Sequence, residues 1–335
     1  MGKIVAINKA KPNSNGLLAK FSTWREMGIV LITLILMFVI TLRQPIFLTS
    51  YNFEDIFLAI AITIIVACGQ MLVIIIRGID LSVGSIIGLV AMVVGLFIRD
   101  KYDFPMALAV LMGTVLGLGL GIINSILITK GKLPAMIATL ATMHIFRGMV
   151  VVFSKGEWVN TYRLDPAFLE ITRMRIFGVP ALIIYAVLIA IITVLFLKYT
   201  RFGRQIYALG SNPTAAEVAG IPVNKITFIV FAISGTLSGF AAVLWASRYG
   251  SVTHETGGGF ELQTIAACVV GGVGIFGGSG SVIGVILGAF LIGIIGNALT
   301  ISNINPFWRL TINGILIIIA VVFDTLINRR LGKQQ

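Results

Sequence analysis

Long apolar runs separated by short polar stretches recur along nearly the whole chain. ALIIYAVLIAIITVLFL, starting at Ala181, and ITFIVFAISGTLSGFAAVL, starting at Ile226, are representative. A helix crossing about 30 Å of hydrocarbon at about 1.5 Å per residue needs roughly 20 mostly apolar residues. Runs of this kind lie near 27–42, 53–76, 79–98, 105–129, 134–154, 179–198, 226–247, 261–278, 279–301 and 307–327. They predict about ten transmembrane helices, the first of them short and the pair after Glu261 crowded with glycine. The runs lack the alternation of a barrel strand, and backbone groups in lipid must find partners within their own segment. The expected fold class is an all-α polytopic membrane protein.

Composition agrees with the pattern. The chain is 58% hydrophobic and 11% charged, with a mean hydropathy of +1.03, well outside the range of a soluble domain. A net charge of +12 would suggest a nucleic-acid partner in a soluble protein. Here the positive-inside rule gives it another meaning, and no nucleic-acid partner is expected. With the amino terminus placed in the cytoplasm and the spans alternating, fifteen of the 25 Lys and Arg fall on inner segments, nine fall on outer ones, and Arg147 lies inside a span. Both termini are then expected in the cytoplasm. The expected organisation is a basic cytoplasmic leader over 1–26, a transmembrane domain over 27–327 and a cytoplasmic tail over 328–335. The first apolar run has no small-residue cleavage site and reads as a retained signal-anchor.

One inner segment, 199–225, is polar and rich in small residues: FGRQIYALGSNPTAAEVAGIPV from Phe202. The Asn212-Pro213 pair favours a turn, strong helix formers follow Thr214, and Gly220 with Ile221-Pro222 ends them. The pattern predicts a short helix whose small Ala215, Ala216 and Ala219 suit insertion into a groove on another protein. Because the segment leaves the bilayer, changes in it are expected to leave the bundle folded. A plain surface helix closing a long loop is the alternative.

Enzymatic chemistry finds no support. The chain has no metal-ligand spacing, no phosphate-cradling GxxxxGK[ST], no nucleophile set, and only two histidines, His144 and His254, far apart. Cys68 and Cys268 lie in predicted spans as buried small residues, with no sign of a disulfide. Glycines recur every fourth residue at Gly113, Gly117 and Gly121, and again at Gly84–Gly88 and Gly235–Gly239. Such ridges let helix backbones approach closely. A faint repeat relates GTVLGLGLGIINSIL from Gly113 to GVILGAFLIGIIGNAL from Gly284, on helices of opposite sense, as in an inverted repeat.

Four separated motifs carry a resemblance to a known family. They are GIDLSVGSIIGL from Gly78, KLPAMIATLATMHIFRGM from Lys132, GRQIYALGSNPTAAEVAGI from Gly203 and GGGFELQTIAACVVGGVGIFGGSGSVIG from Gly257. The chain resembles the permease subunits of bacterial carbohydrate ABC importers, which include the ribose, rhamnose and autoinducer-2 permeases. The resemblance implies a type II ABC importer permease in the bacterial inner membrane. It also implies a second permease subunit (the same or a related chain), an ATPase subunit that binds the ATP-Mg, and an extracytoplasmic sugar-binding protein that delivers a small-molecule substrate. No cofactor is expected on this chain. By the same resemblance the 199–225 segment is the coupling loop, with Gly210, Asn212, Ala215, Ala216, Glu217 and Gly220 as its docking positions. The tail stretch from Ile265 and VVFD at Val321 are more similar to the autoinducer-2 type than to the ribose type, while rhamnose and pentose permeases stay open.

Polar residues inside spans are candidates for the substrate pathway. Thr139, Thr142, His144 and Arg147 share one span, with His144 partly off the face of the other three, and Gln70 and Gln263 stand alone in apolar runs. Hydrogen bonding between helices is the competing role. Arg77 and Asp80 are spaced to pair, and Asp80 is placed to cap the helix starting at LSVG. His254 and Glu255 fall on an outer loop. Two other classes remain in view. A secondary carrier would need midplane carboxylates, which Asp80 and Asp324 near span ends supply poorly. A membrane scaffold would leave the docking-like loop without a purpose.

Overall fold

The computed structural model describes residues 14–101, 104–305 and 308–332. The described residues are mostly helical. In order the chain runs α1 (Ser14–Arg43), α2 (Ser50–Ile75), α3 (Val83–Ile98), α4 (Met106–Thr129), α5 (Ala135–Ser154), α6 (Pro166–Arg173) and α7 (Ala181–Tyr199). It continues through α8 (Arg201–Ser211), α9 (Pro213–Val218), α10 (Val223–Tyr249), α11 (Phe260–Val270), α12 (Val282–Ile301) and α13 (Trp308–Gly332). Between α6 and α7, β1 (Arg175–Ile176) pairs antiparallel with β2 (Val179–Pro180). Residues 1–13 of the expected leader and 333–335 of the expected tail lie outside the described residues.

Among the described residues, seven helices are long and apolar enough to cross a membrane: the Glu26–Arg43 part of α1, and α2, α4, α5, α7, α10 and α12. Three of the ten predicted runs are shorter apolar helices, at Val83–Ile98, Phe260–Val270 and Leu310–Val322. Two predicted spans therefore need correction. The 79–98 run becomes helical only at Val83, and the 261–278 run stops at Val270, with residues 271–281 non-helical. The reason is local. Asp80 accepts the N–H and hydroxyl of Ser82, bonds that compete with helix formation, and the second segment carries Gly271, Gly272, Gly274, Gly277, Gly278 and Gly280.

Helix ends follow their capping residues. Thr49, Thr200, Asn212 and Ser281 each accept a backbone N–H from the first turn of the helix that follows. Gly250 closes α10 in the left-handed conformation. Within the spans, hydroxyls of Thr33, Thr114 and Thr193 donate back to the carbonyl four residues earlier, so they bring no unpaired donor into lipid.

The centre of the bundle is α2, which is buried almost throughout from Ile60 to Ile75. α3 packs between α10, α5 and α4. α1, α4, α5 and α7 each keep an apolar face open, the arrangement expected of helices that meet lipid or another subunit. A close approach of backbones joins α4 to α10. A Cβ on Gly117 would meet the Gly235 carbonyl oxygen and the Gly239 backbone, and one on Gly121 would meet the Phe231 carbonyl oxygen and Gly235 Cα. Ser125 Oγ crosses the same seam to the Phe228 carbonyl at 2.7 Å. On the other flank of α2, Asn52 and Asn297 form a reciprocal amide pair at 2.7 and 3.1 Å, tying α2 to α12.

Candidate functional site

Chemistry-bearing residues gather in three places: the α8–α9 element, a buried polar junction at the break between α2 and α3, and the opposite end of the bundle.

The predicted polar loop contains two helices. α9 matches the sequence expectation, with Pro213 in its first turn, Asn212 Oδ1 accepting the Ala215 N–H at 3.0 Å, and Gly220 beyond its end at φ +76°. α8 was not foreseen. It is strongly amphipathic, burying Gly203, Ile206, Leu209 and Gly210 while Arg201, Arg204 and Ala208 stay exposed. Its carboxyl end is held from inside the chain. Arg77 donates from Nε to the Gly210 carbonyl and from Nη2 to the Ser211 carbonyl, both at 2.7 Å. Tyr207 Oη donates to the Gly280 carbonyl at 2.8 Å, and burial pushes that phenol above its ordinary range.

The six proposed docking positions separate accordingly. Asn212, Ala215, Glu217 and Gly220 are exposed. Ala216 is buried against the chain itself. Gly210 is buried so closely that a Cβ would overlap the Ile75 carbonyl oxygen and crowd the Gly278 nitrogen. The expectation that changes throughout the segment leave the bundle intact does not hold at Gly210, because α8 lies against the bundle instead of looping away from it.

At the break, residues 76–82 are gripped by side chains from several helices. Asp80 is fully buried; its Oδ1 accepts the Ser82 N–H at 3.0 Å and the Ser82 hydroxyl at 2.7 Å, and its Oδ2 accepts the Ser234 hydroxyl at 2.9 Å. With its amide assigned to satisfy both partners, Gln70 donates to the Asp80 carbonyl at 3.1 Å and accepts the Asp80 N–H at 3.3 Å. Asn124 donates to Ser82 Oγ at 2.8 Å and accepts from Thr142 Oγ1 at 2.7 Å. The Thr139 hydroxyl lies 3.0 Å from the Ile79 carbonyl and 2.9 Å from the Ala135 carbonyl of its own helix, so its one hydrogen is shared between them. The expected Arg77–Asp80 pair does not form, since their side chains serve different partners on either side of a non-helical turn. Asp80 also secures the residue that precedes α3, Ser82, instead of the first-turn amides of that helix.

At the opposite end, Arg147 donates to the Thr256 carbonyl at 2.7 Å and to the His254 carbonyl at 3.3 Å. The Trp158 indole donates to His254 Nδ1 at 3.2 Å, and Val159 and Val252 exchange two backbone bonds of 3.0 Å. Glu261 Oε2 is buried there without a hydrogen-bond partner. Arg99 and Glu157 form an ion pair across the same end, and Arg99 draws the Glu157 carboxyl below its ordinary range.

The structure thus brings Gln70, Thr139 and Thr142 into one buried network, with Arg147 on the same helix as the two threonines. Gln263 is separate, donating to Thr63 Oγ1 at 2.9 Å. His144 is exposed on the open face of α5. Sequence reasoning passed over Ser82, Asn124, Ser234 and Thr256. The one available signal was Asn124, a lone amide within GLGIINSIL, of the kind that marks function in a span.

A family described as the permease component of branched-chain amino acid transport systems matches residues 52–321. The chain is 36% identical to a ribose import permease protein of Haemophilus influenzae over 313 residues, covering 93% of this chain and 96% of the relative. It is 35% identical over 307 residues to a D-allose transport system permease protein of Escherichia coli, covering 91% and 93%. It is 32% identical over 311 residues to an autoinducer 2 import system permease protein of an Enterobacter species, covering 93% and 90%. No solved structure matches the chain.

Proposed function

The chain belongs to the family of branched-chain amino acid transport system permease components, and from that membership we propose that it is the membrane subunit of an ATP-binding-cassette importer. Its cargo in this reading is a small sugar or sugar-like signal. The three named relatives import ribose, allose and autoinducer 2 at closely similar identity. Within that class the tail motifs favour autoinducer 2, to be separated from the sugars by uptake of each labelled compound.

The observation that carries the reading is the α8–α9 element. It stands at one end of the bundle, is fastened to it through Arg77, Tyr207 and Gly210, and presents Ala215, Glu217 and an 87%-exposed Val218 outward. A soluble partner meets a small apolar and acidic surface on a rigid base, which is what a docking helix requires. In this reading α9 fits a cleft of the ATPase subunit, ATP-Mg is held and hydrolysed there, and this chain carries out no bond chemistry. A second permease subunit completes the pathway, an extracytoplasmic binding protein delivers the cargo, and α9 and both termini face the cytoplasm. The open face of α5 with His144 is the translocation surface we favour. An ionisable side chain exposed at mid-span needs water or another subunit beside it. Arg147 closes the far mouth of that path.

The test is co-purification of Glu217→Lys with the ATPase and measurement of binding-protein-stimulated ATP hydrolysis. Charge reversal at a docking surface is expected to abolish both, since an unpaired charge in an interface costs several kcal/mol. Unchanged association and stimulation would remove α9 from the interface.

A further inference from the structure

Within the non-helical break between α2 and α3, Asp80 ties Ser82, and four of its residues each reach a different helix. Arg77 reaches α8 through the Gly210 and Ser211 carbonyls. The Ile79 carbonyl shares the Thr139 hydroxyl of α5 with that helix's own Ala135 carbonyl. Asp80 binds Ser234 of α10, and the Ser82 hydroxyl receives Asn124 of α4. A further tie comes from the second break, where the Gly278 N–H donates to the Ile75 carbonyl at 2.9 Å. The chain holds Arg77 at φ +66°, a left-handed conformation that residues with a Cβ rarely adopt. That backbone sets the guanidinium against the carboxyl end of α8, where a cation is favoured by the unpaired carbonyls and the helix dipole. Nε and Nη2 engage two successive carbonyls as a rigid fork, a geometry lysine cannot reproduce.

We propose that Arg77 is a positioning residue for energy coupling, joining the α8–α9 element through residues 77–82 to the helices that carry the transport path. The inference rests on the reading of α9 as the ATPase contact and goes beyond it by naming where the contact's motion enters the membrane bundle. A displacement of α8 must either break both Arg77 bonds or drag the break with it. Through Thr139 the break holds α5, the helix that bears His144 and Arg147. The buried Asp80 and its serine and asparagine partners make the break one body, because each of these side chains already has a partner to lose. A shift at α8 is therefore passed to α5 without passing through the tight α4–α10 contact.

The experiment compares Arg77→Gln, Arg77→Lys and Thr139→Val in the complete importer, reconstituted with its ATPase and binding protein. Three quantities are read: ATPase association, ATP hydrolysis and cargo transported per ATP. For Arg77→Gln, association and hydrolysis are expected to persist while transport per ATP falls about tenfold, within the usual range of coupling between sites. Arg77→Lys should recover part of the loss, and Thr139→Val, acting at the far side of the same break, should show the same signature. Wild-type transport per ATP in Arg77→Gln, or in Thr139→Val should Arg77→Gln fail to assemble, overturns the proposal. So does an equal fall of association and transport, which would make Arg77 merely structural. Failure of the underlying reading looks different: Glu217→Lys would then keep full association and stimulation.

Discussion

The guanidinium of Arg147 donates to the carbonyl oxygen of Thr256 at 2.7 Å, joining positions 109 residues apart in the chain. That bond holds the turn before α11 against the middle of α5. Arg163, by contrast, makes a 3.3 Å ion pair with Asp100 while 39% of its side chain stays exposed. Arg147→Met is expected to cost about 1.5–3 kcal/mol, as for a lost hydrogen bond to a charged group, and to depress uptake strongly. Arg163→Met is expected to cost about 0–1 kcal/mol and to leave uptake near normal. Uptake at matched membrane levels, with thermal unfolding in detergent, checks both; equal behaviour of the two variants would remove Arg147 from the path.

The two glycines Gly117 and Gly119 provide a matched pair. A Cβ on Gly117 meets backbone of α10, whereas one on Gly119 has nothing within 4 Å. Gly117→Ala should destabilise by about 1–3 kcal/mol through overpacking. Gly119→Ala should be neutral or stabilise by about 0.5–1 kcal/mol, because alanine is the better helix former. A differential scanning measurement in one detergent decides; the opposite order would mean the seam is looser than drawn.

Gly210 and Glu217 lie seven residues apart yet should behave differently. Gly210→Val drives a side chain into the Ile75 carbonyl and the 274–280 turn, so its melting temperature should fall even in the isolated subunit. Glu217→Lys is exposed and should melt like the parent, within about 0.5 kcal/mol. A thermally silent Gly210→Val would contradict the buried seat of α8.

Orientation has a direct test at Val218, which is 87% exposed, while the two native thiols, Cys68 and Cys268, are buried. A membrane-impermeant maleimide should label Val218→Cys in inside-out vesicles and not in right-side-out ones. Labelling from the outer face would reverse the proposed topology.

The spans were legible because hydropathy is a local property, and α9 because Asn212-Pro213 and Gly220 bracket it unambiguously. α8 escaped notice although Phe202, Ile206 and Leu209 already mark one helical face, since arginine and glycine masked the periodicity in a short polar segment. The Arg77–Asp80 pairing failed for a different reason. An i, i+3 contact presupposes a helix, and Arg77 at φ +66° ends one. Nor could spacing reveal that Asn124 joins Thr142 to Ser82, or that Gly210 is a contact point and not a loop residue. Those facts arise only when α4, α5 and α8 are brought against the break.

The glycine contact between α4 and α10 limits how this molecule can move. Most helix pairs slide because side chains between them can exchange rotamers. Here, at Gly117, Gly121, Gly235 and Gly239, no such layer exists. Turning α4 by one residue, about 100°, would bring Leu116 or Leu118 against the α10 backbone, so the facing of the two helices is fixed. The two helices are expected to behave as a single strut, with α5 and its neighbours free to rock about that fixed beam.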